Sequence, residues 1–236
     1  MRKRRVLLAI TTVILFTGWF FVARKAPVDA PVTERPTANQ PAVTTDATLA
    51  SAVLEQLPVK GRAPKTGYAR TQFGDGWATT GGCDTRNIIL HRDLVDTVVS
   101  DDCKVMSGTL NDPYTGTAIA FTRGANTSAL VQIDHVVALS NARQTGAQQL
   151  SEARRIELAN DPLELLAVDG QANQKKSDGD AATWLPANKA FRCQYVARQI
   201  AVKQKYSLWV TPPEKQAMLA VLAKCPEQAL PGGVLQ

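Results

Sequence analysis

The first 25 residues constrain this chain more than any other segment, because they set the compartment in which the rest folds. Basic residues fill positions 2–5, and a largely apolar run follows from Val6 to Ala23. A basic cluster before an apolar run is typical of an export signal or a single membrane anchor, with the basic end kept in the cytoplasm. The sequence therefore predicts an extracytoplasmic protein. Residues 1–25 are expected to be either a signal peptide or an uncleaved anchor in the cytoplasmic membrane.

The net charge of +6 arises from this N-terminal segment. Residues 1–25 hold six of the 27 basic residues and none of the 21 acidic ones, which leaves 21 of each sign in the remainder. The overall charge therefore says little about a nucleic-acid partner. A local basic excess between residues 175 and 205 predicts either a face that follows phosphates or an ordinary solvated helix surface. Its members are Lys175, Lys176, Lys189, Arg192, Arg198, Lys203 and Lys205.

Composition and periodicity divide the remaining chain into a linker and one folded domain. Residues 26–46 are rich in Pro, Thr, Ala and Val without helical or strand period, which predicts a disordered linker. Residues 47–236 are expected to fold as an α+β domain, since 44% hydrophobic and 20% charged residues suit a packed core. Helices are predicted over about 47–57, from Thr85 to about Val99, and from about 138 to Asn160. Strands are predicted over about 104–110, 117–121, 131–137 and 163–168, followed by a short helix over 173–176.

Four cysteines in an exported chain predict two disulfides. A four-cysteine zinc site is the alternative, but no Cys-x-x-Cys pair is present. The last 50 residues are typical of a helical hairpin, whose second helix begins with the capping sequence Thr211-Pro212-Pro213-Glu214. Cys193 and Cys225 are about equally far from the bend, so antiparallel packing pairs them, and elimination pairs Cys83 with Cys103. Sequence alone allows three pairings.

Three chain segments carry residues suited to phosphodiester hydrolysis. They are a strand with Asp134-His135, a strand with Glu164-Leu165-Leu166, and a helix start with Asn173-x-x-Lys176. A strand–strand–helix order of this kind clamps one divalent metal. Such hydrolysis needs a base for water and a cation that neutralises the phosphate. Histidine serves as the base near neutral pH, and carboxylate and amide oxygens suit Mg²⁺.

These segments resemble the HNH endonuclease superfamily. Wider stretches resemble exported bacterial members of the GmrSD restriction-endonuclease C-terminal domain family, and the resemblance covers roughly residues 54–225. The stretches are Cys83-Asp84-Thr85-Arg86-Asn87, Asp112-Pro113-Tyr114-Thr115-Gly116, residues 132–139 around Asp134-His135, Ala159-Asn160-Asp161-Pro162 and Thr183-Trp184-Leu185-Pro186.

The resemblance implies a fold, a cofactor and site residues. It implies a ββα-metal (HNH, His-Me finger) centre with an N-terminal α/β elaboration and a C-terminal disulfide-linked helical hairpin. His135 matches the general base, Asp134 and Asn173 match ligands of one divalent metal, Mg²⁺ or Mn²⁺, and Lys176 matches a phosphate-contacting residue. The implied partner is nucleic acid, DNA rather than RNA.

Glu164 departs from the family pattern, since it stands where the middle Asn of the motif is expected. An ionised Glu164 near His135 would raise the pKa of the base and move the optimum to alkaline pH. Alternatively, Glu164 pairs with a nearby Lys or Arg. Glu164 is therefore a possible site residue that weakens activity.

Several alternatives compete with the nuclease interpretation. On a regular strand His135 shares a face with Ile133 and points away from Asp134, so it is a core histidine unless the strand ends or bulges there. A second hypothesis is a non-catalytic surface module that keeps the fold and has lost activity, which Glu164 favours, and a third is another exported hydrolase. His91, on the apolar face of its predicted helix, is expected to be structural.

Overall fold

The computed structural model describes residues 48–231, and the predicted export segment and linker lie outside this range. No helix within residues 48–231 is long and apolar enough to span a bilayer. The helices are α1 (Ala50–Gln56), α2 (Thr85–Asp93), α3 (Leu139–Gln144), α4 (Glu152–Asn160), α5 (Gly170–Lys176), α6 (Arg192–Lys205) and α7 (Pro212–Leu222). The strands are β1 (Thr79–Thr80), β2 (Cys83–Asp84), β3 (Leu94–Val99), β4 (Val105–Asn111), β5 (Ala118–Thr122), β6 (Val131–His135) and β7 (Leu165–Asp169). They pair as the antiparallel sheets β1-β2, β3-β4-β5 and β6-β7.

The long helix predicted from Thr85 to Val99 is wrong in its second half. Helix α2 ends at Asp93, and the chain continues as β3 with a bulge between Val95 and Val98. Val95 and Val98 are 48% and 58% exposed, so the apolar spacing that suggested one buried helical face does not reflect a core contact. The N-cap is Asp84, whose side chain accepts a hydrogen bond from the Asn87 amide at 2.7 Å.

The β6-β7 pair lies between two hydrophobic clusters. Ile133, Leu165 and Ala167 belong to a cluster built with α2 and β3–β5. Leu166 and Val168 belong to a larger cluster built with α1, α6 and α7. Alternate residues of β7 therefore enter opposite cores, which explains why its sequence is apolar without alternation.

The boundaries of these strands place the chemistry-bearing residues. Strand β6 is shorter than predicted and ends at His135, while Glu164 lies just before β7. Helix α5 follows β7 directly, and the Asp169 carboxylate caps it by accepting from the Ala172 amide at 2.7 Å. The predicted order of strand, strand and helix is therefore present.

The C-terminal helices form the expected hairpin. Helix α7 begins at the predicted capping box, in which Thr211 and Glu214 exchange hydrogen bonds between side chain and backbone. A disulfide joins Cys193 to Cys225 with 6.4 Å between the Cα atoms. The second disulfide joins Cys83 to Cys103 with a Cα separation of 5.4 Å, so both predicted pairings are confirmed.

Candidate active site

His135 lies at the boundary of two adjoining cavities. One, of about 330 Å³, is polar and is lined by His135 together with Asp134, Asn173 and Gln132. The other, of about 270 Å³, is more apolar and is lined by His135 together with Trp77 and Phe73. We call them the polar cavity and the aromatic cavity. Asp134 and His135 both border the polar cavity, although they are consecutive residues of β6 and both are paired with β7, so their side chains lie on opposite faces of the strand.

The surroundings of His135 fix its tautomer. Its Nε2 lies 2.9 Å from the Ala159 carbonyl oxygen, which can only accept, so Nε2 carries the hydrogen. Trp77 stacks on the imidazole with 5.7 Å between ring centroids and 8° between the planes. Burial, together with the positive charges of Arg70 and Lys176, lowers the pKa of His135 to about 3. The ring is therefore neutral at pH 7, and Nδ1 holds a free lone pair.

Asp134 is held from two sides. Its Oδ1 accepts from the Lys176 ammonium at 2.9 Å, and its Oδ2 accepts from the Tyr114 hydroxyl. Burial raises the pKa of Asp134, and the bonds from Lys176 and Tyr114 oppose that rise. A carboxylate offers about four lone-pair sites, so each oxygen keeps one position for a further partner.

Tyr114 comes from the turn between β4 and β5. The Asp112 carboxylate accepts from the Thr115 amide within this turn and from the Asp169 amide at the end of β7, at 2.7 and 2.9 Å. Asp112 therefore ties the turn to the β6-β7 pair and places the Tyr114 hydroxyl against Asp134. The sequence predicted the strands on either side of this turn, over about 104–110 and 117–121, but no pattern indicated this contact.

Lys176 is placed differently from the phosphate-contacting residue that the resemblance implied. It is 2% exposed and lines neither cavity. Besides Asp134, its ammonium group donates to the His135 carbonyl oxygen at 2.7 Å. Lys176 thus links α5 to the end of β6 by hydrogen bonds to both Asp134 and His135.

Asn173 and Gln132 complete the polar cavity. The Asn173 side-chain nitrogen donates to the Gln132 Oε1 at 2.9 Å. The side-chain oxygen of Asn173, Oδ1, is therefore left for another partner. Residues 48–231 hold no group of three or more His, Cys, Asp or Glu side chains placed to bind a metal. The donors here are one carboxylate and an amide oxygen, a set that fits Mg²⁺ when waters and a substrate phosphate supply the remaining ligands.

Glu164 is buried under the loop that follows His135. Its Oε2 accepts from the Val137 amide at 3.2 Å, and its backbone carbonyl accepts from the Val136 amide at 2.9 Å. Burial raises the pKa of Glu164 well above its ordinary value, and the Val137 amide and the charge of Lys176 oppose that rise. The expected rise in the pKa of His135 is wrong, because burial and the positive charges of Arg70 and Lys176 lower that pKa instead. Within residues 48–231 Glu164 also has no ion-pair partner, contrary to the alternative expectation.

The predicted basic face is not a continuous surface. Lys176 and Lys203 are fully buried in ion pairs with Asp134 and Glu214. Lys205 pairs with Asp161, while Arg192 and Arg198 donate to backbone carbonyls. His91 lies outside both cavities and is exposed beside Thr97.

Two residues of the site were missed by sequence reasoning, Arg70 and Trp77. They lie between Gly61 and Gly82, a segment for which the sequence predicted neither a helix nor a strand. Its content of Gly and aromatic residues was the available signal, since such a segment without helical or strand period often carries binding residues.

Comparison with known proteins places the chain in a family. The profile described as GmrSD restriction endonucleases, C-terminal domain, matches residues 85–221, which is more than half of the chain. The chain therefore belongs to this family. The matched range includes Asp134, His135, Asn173 and Lys176, whereas Arg70 and Trp77 precede it.

A full-length relative agrees with the expected compartment. An uncharacterized secreted protein of Arthroderma benhamiae is 34% identical over 207 residues, which is 87% of this chain and 98% of the relative. No solved structure matches this chain. The secreted relative and the two disulfides are consistent with a location outside the cytoplasm.

Proposed function

We propose that this chain is an exported endonuclease that hydrolyses phosphodiester bonds of DNA, with His135 as general base and one divalent metal ion as cofactor. The observation that carries the proposal is the state of His135. A neutral imidazole with hydrogen on Nε2 borders a cavity that Asp134 and Asn173 also line, and its Nδ1 lone pair is the group that would accept a proton. Family membership supports the same class of reaction.

The base step follows from this geometry. The Ala159 carbonyl holds the Nε2 hydrogen, and the stacked Trp77 fixes the plane of the ring. Nδ1 then accepts a proton from water, whose oxygen attacks phosphorus as the bond to the leaving oxygen breaks. The imidazolium that forms is stabilised by the Ala159 carbonyl oxygen, because a hydrogen bond donated by a positively charged ring is stronger than one donated by a neutral ring.

Asp134 and Asn173 are the residues that would hold the metal, with Lys176 and Tyr114 fixing the carboxylate. The bound ion would supply Lewis-acid stabilisation of the charge that develops on the phosphate. A donor set made only of oxygens favours Mg²⁺ or Mn²⁺ over thiolate-binding metals.

In this proposal Glu164 holds the backbone that follows the general base, and it does not weaken activity as the sequence suggested. Its carboxyl group and its backbone carbonyl hold two successive amides after His135. Burial and the charges of Arg70 and Lys176 keep the pKa of His135 low, so activity should persist below about pH 6.5, the ordinary histidine pKa. The alkaline optimum expected from the sequence is replaced by this expectation.

The test is cleavage of plasmid and linear DNA by purified chain, with Mg²⁺ or after removal of metal by EDTA. His135→Ala should lower kcat/KM by about 10²–10⁴-fold, because that is the usual contribution of a general base. His91→Ala is the matched control and should cleave at the wild-type rate. Full cleavage by folded His135→Ala, or cleavage that survives EDTA, would overturn the proposal. Absence of cleavage by the wild-type chain with any divalent metal would instead favour a non-catalytic module.

A further inference from the structure

The burial of Lys176 leaves the proposed reaction without its expected phosphate-binding side chain. The ammonium group is occupied by Asp134 and by the His135 carbonyl, and the residue lines neither cavity. A phosphodiester that reaches His135 carries a negative charge that the residues so far described do not contact.

Arg70 is the cationic side chain that borders both cavities. The residues around the polar cavity and those around the aromatic cavity have Arg70, His135 and Leu139 in common. Arg70 is exposed, and it shares the lining of both cavities with His135, so its guanidinium is available on the same side as the imidazole.

The guanidinium of Arg70 has no carboxylate or hydrogen-bond partner among residues 48–231. Its neighbours in sequence differ in this respect. Arg62 pairs with Asp180 at 2.7 Å, and Lys65 pairs with Asp178 at 2.6 Å. An exposed guanidinium that lines a polar cavity is suited to an anion, because its planar fork matches two phosphate oxygens.

The backbone that carries Arg70 is fixed, although the side chain is free. Residues Arg70–Phe73 form a 3₁₀ turn in which Phe73 is 2% exposed. The Arg155 guanidinium from α4 donates to the Gln72 carbonyl oxygen at 2.9 Å and to the Leu150 carbonyl oxygen at 2.6 Å. The binding group is thus presented from an anchored turn, which lowers the entropy lost on binding.

Other cations are less well placed. Lys175 and Lys189 are exposed but border neither cavity. The Arg143 Nε donates a hydrogen bond to the Gln72 Oε1 at 3.4 Å. Arg70 also precedes the stretch that matches the family profile, so family membership does not assign it a role.

We propose that Arg70 binds the phosphodiester beside His135 and positions it for attack, in place of the buried Lys176. The inference deepens the proposed function and rests on it for the identity of the substrate. It assigns to Arg70 a direct contact with a nonbridging phosphate oxygen of a DNA strand.

The experiment measures cleavage and binding separately in the full chain. Cleavage of a fluorescein-labelled DNA oligonucleotide gives kcat/KM for wild type, Arg70→Ala, Arg70→Lys and the control Lys224→Ala, which removes an exposed charge remote from both cavities. Binding of the same oligonucleotide is measured in a His135→Ala background across a salt series. Thermal melts establish that each variant is folded.

Arg70→Ala should lower kcat/KM by about 10- to 100-fold, which corresponds to loss of a hydrogen bond to a charged group. The slope of log binding constant against log salt should fall by about 0.7–0.9, as one phosphate contact is lost. Arg70→Lys should be intermediate, since the charge remains without the fork. Lys224→Ala should change neither quantity.

The outcomes separate this inference from the proposed function. Wild-type cleavage with an unchanged kcat/KM and salt slope in folded Arg70→Ala overturns the inference and leaves the nuclease standing. Binding that depends on Arg70 without any wild-type cleavage supports the phosphate contact and overturns the nuclease. Loss of cleavage in Arg70→Ala with an unchanged salt slope overturns the direct contact.

Discussion

At the scale of single residues, the candidate site depends on buried polar groups that do not themselves face the cavities. Asp134 is oriented by Lys176 and Tyr114, and the backbone after His135 is held by Glu164. Such groups are costly to bury unless each finds a partner, so their loss should affect stability and geometry together.

Lys176→Met tests the buried ion pair. The methionine side chain has a similar volume, so the main effect is an unpaired Asp134 carboxylate in a buried site. Breaking a buried pair from one side typically costs about 3–5 kcal/mol of unfolding free energy, measured by urea denaturation. Lys175→Met, at the exposed neighbouring position, should stay within about 0.5 kcal/mol of wild type.

Removing both charges tells whether the cost comes from the unpaired carboxylate. The double variant Asp134→Asn/Lys176→Met should recover part of the stability lost in Lys176→Met. Equal stability of the two variants would contradict this explanation of the ion pair.

Glu164→Gln tests whether the Glu164 carboxyl group is neutral in the folded protein. In the unfolded chain this group ionises near pH 4.5, whereas burial holds its folded pKa well above that value. Above pH 4.5 the unfolded state therefore binds fewer protons, and the free energy of unfolding of wild type falls as pH rises. Glutamine does not titrate, so the stability of Glu164→Gln relative to wild type should increase over that range.

The measurement is urea unfolding between about pH 4 and 8, with the exposed Glu227→Gln as control. Glutamine keeps an oxygen that accepts from the Val137 amide, so cleavage by Glu164→Gln should remain near the wild-type rate. A pH-independent difference between Glu164→Gln and wild type would show that Glu164 is ionised.

Sequence reasoning found residues that carry recognisable chemistry and missed those defined by position alone. Asp134, His135 and Asn173 stand in an ordered set for which the resemblance implies chemical roles, and all three line the polar cavity. Arg70 lies outside that set, and its place beside His135 depends on the packing of a turn against α4. The burial of Lys176 depends likewise on long-range contacts that no local pattern encodes.

At the scale of elements, the sequence indicated where helices begin more reliably than where they end. The capping box at Thr211 fixed the beginning of α7, because its side-chain and backbone partners are three residues apart in sequence. The end of α2 was missed, since Leu94 to Val99 becomes a strand by pairing with β4, a non-local partner. The β-branched residues there were the local signal for a strand, and the apparent helical period outweighed them.

Gly170→Ala tests the start of α5 as a determinant of the site. A Cβ at this position would lie 2.1 Å from the Ala129 carbonyl oxygen, so backbone must move to admit it. Overpacking of this kind costs about 1–3 kcal/mol, and displacement of α5 should also lower kcat/KM through Asn173 and Lys176. Gly61→Ala meets nothing within 4 Å and should leave the midpoint of thermal unfolding and kcat/KM near wild type.

At the scale of the whole molecule, the β6-β7 pair is supported from both sides by separate cores. The cluster on one side includes α2 and β3–β5, and the Cys83–Cys103 disulfide joins β2 to the connection between β3 and β4. The other cluster includes α6 and α7, which Cys193–Cys225 joins. Neither disulfide borders the polar or the aromatic cavity, so the crosslinks contribute to stability rather than to chemistry.

The variant Cys193→Ser/Cys225→Ser tells whether this crosslink contributes to stability alone or also to catalysis. The crosslink closes a loop of 32 residues, for which the chain-entropy relation gives about 3–4 kcal/mol of stabilisation. The double variant should therefore unfold at lower urea concentration by that free energy, while its kcat/KM below the transition stays at the wild-type value. Wild type treated with reductant should show a loss at least as large, because Cys83–Cys103 is reduced as well. A matching fall in kcat/KM of the folded double variant would mean that the α6-α7 hairpin positions the β6-β7 pair directly, and that the two cores do not support it independently.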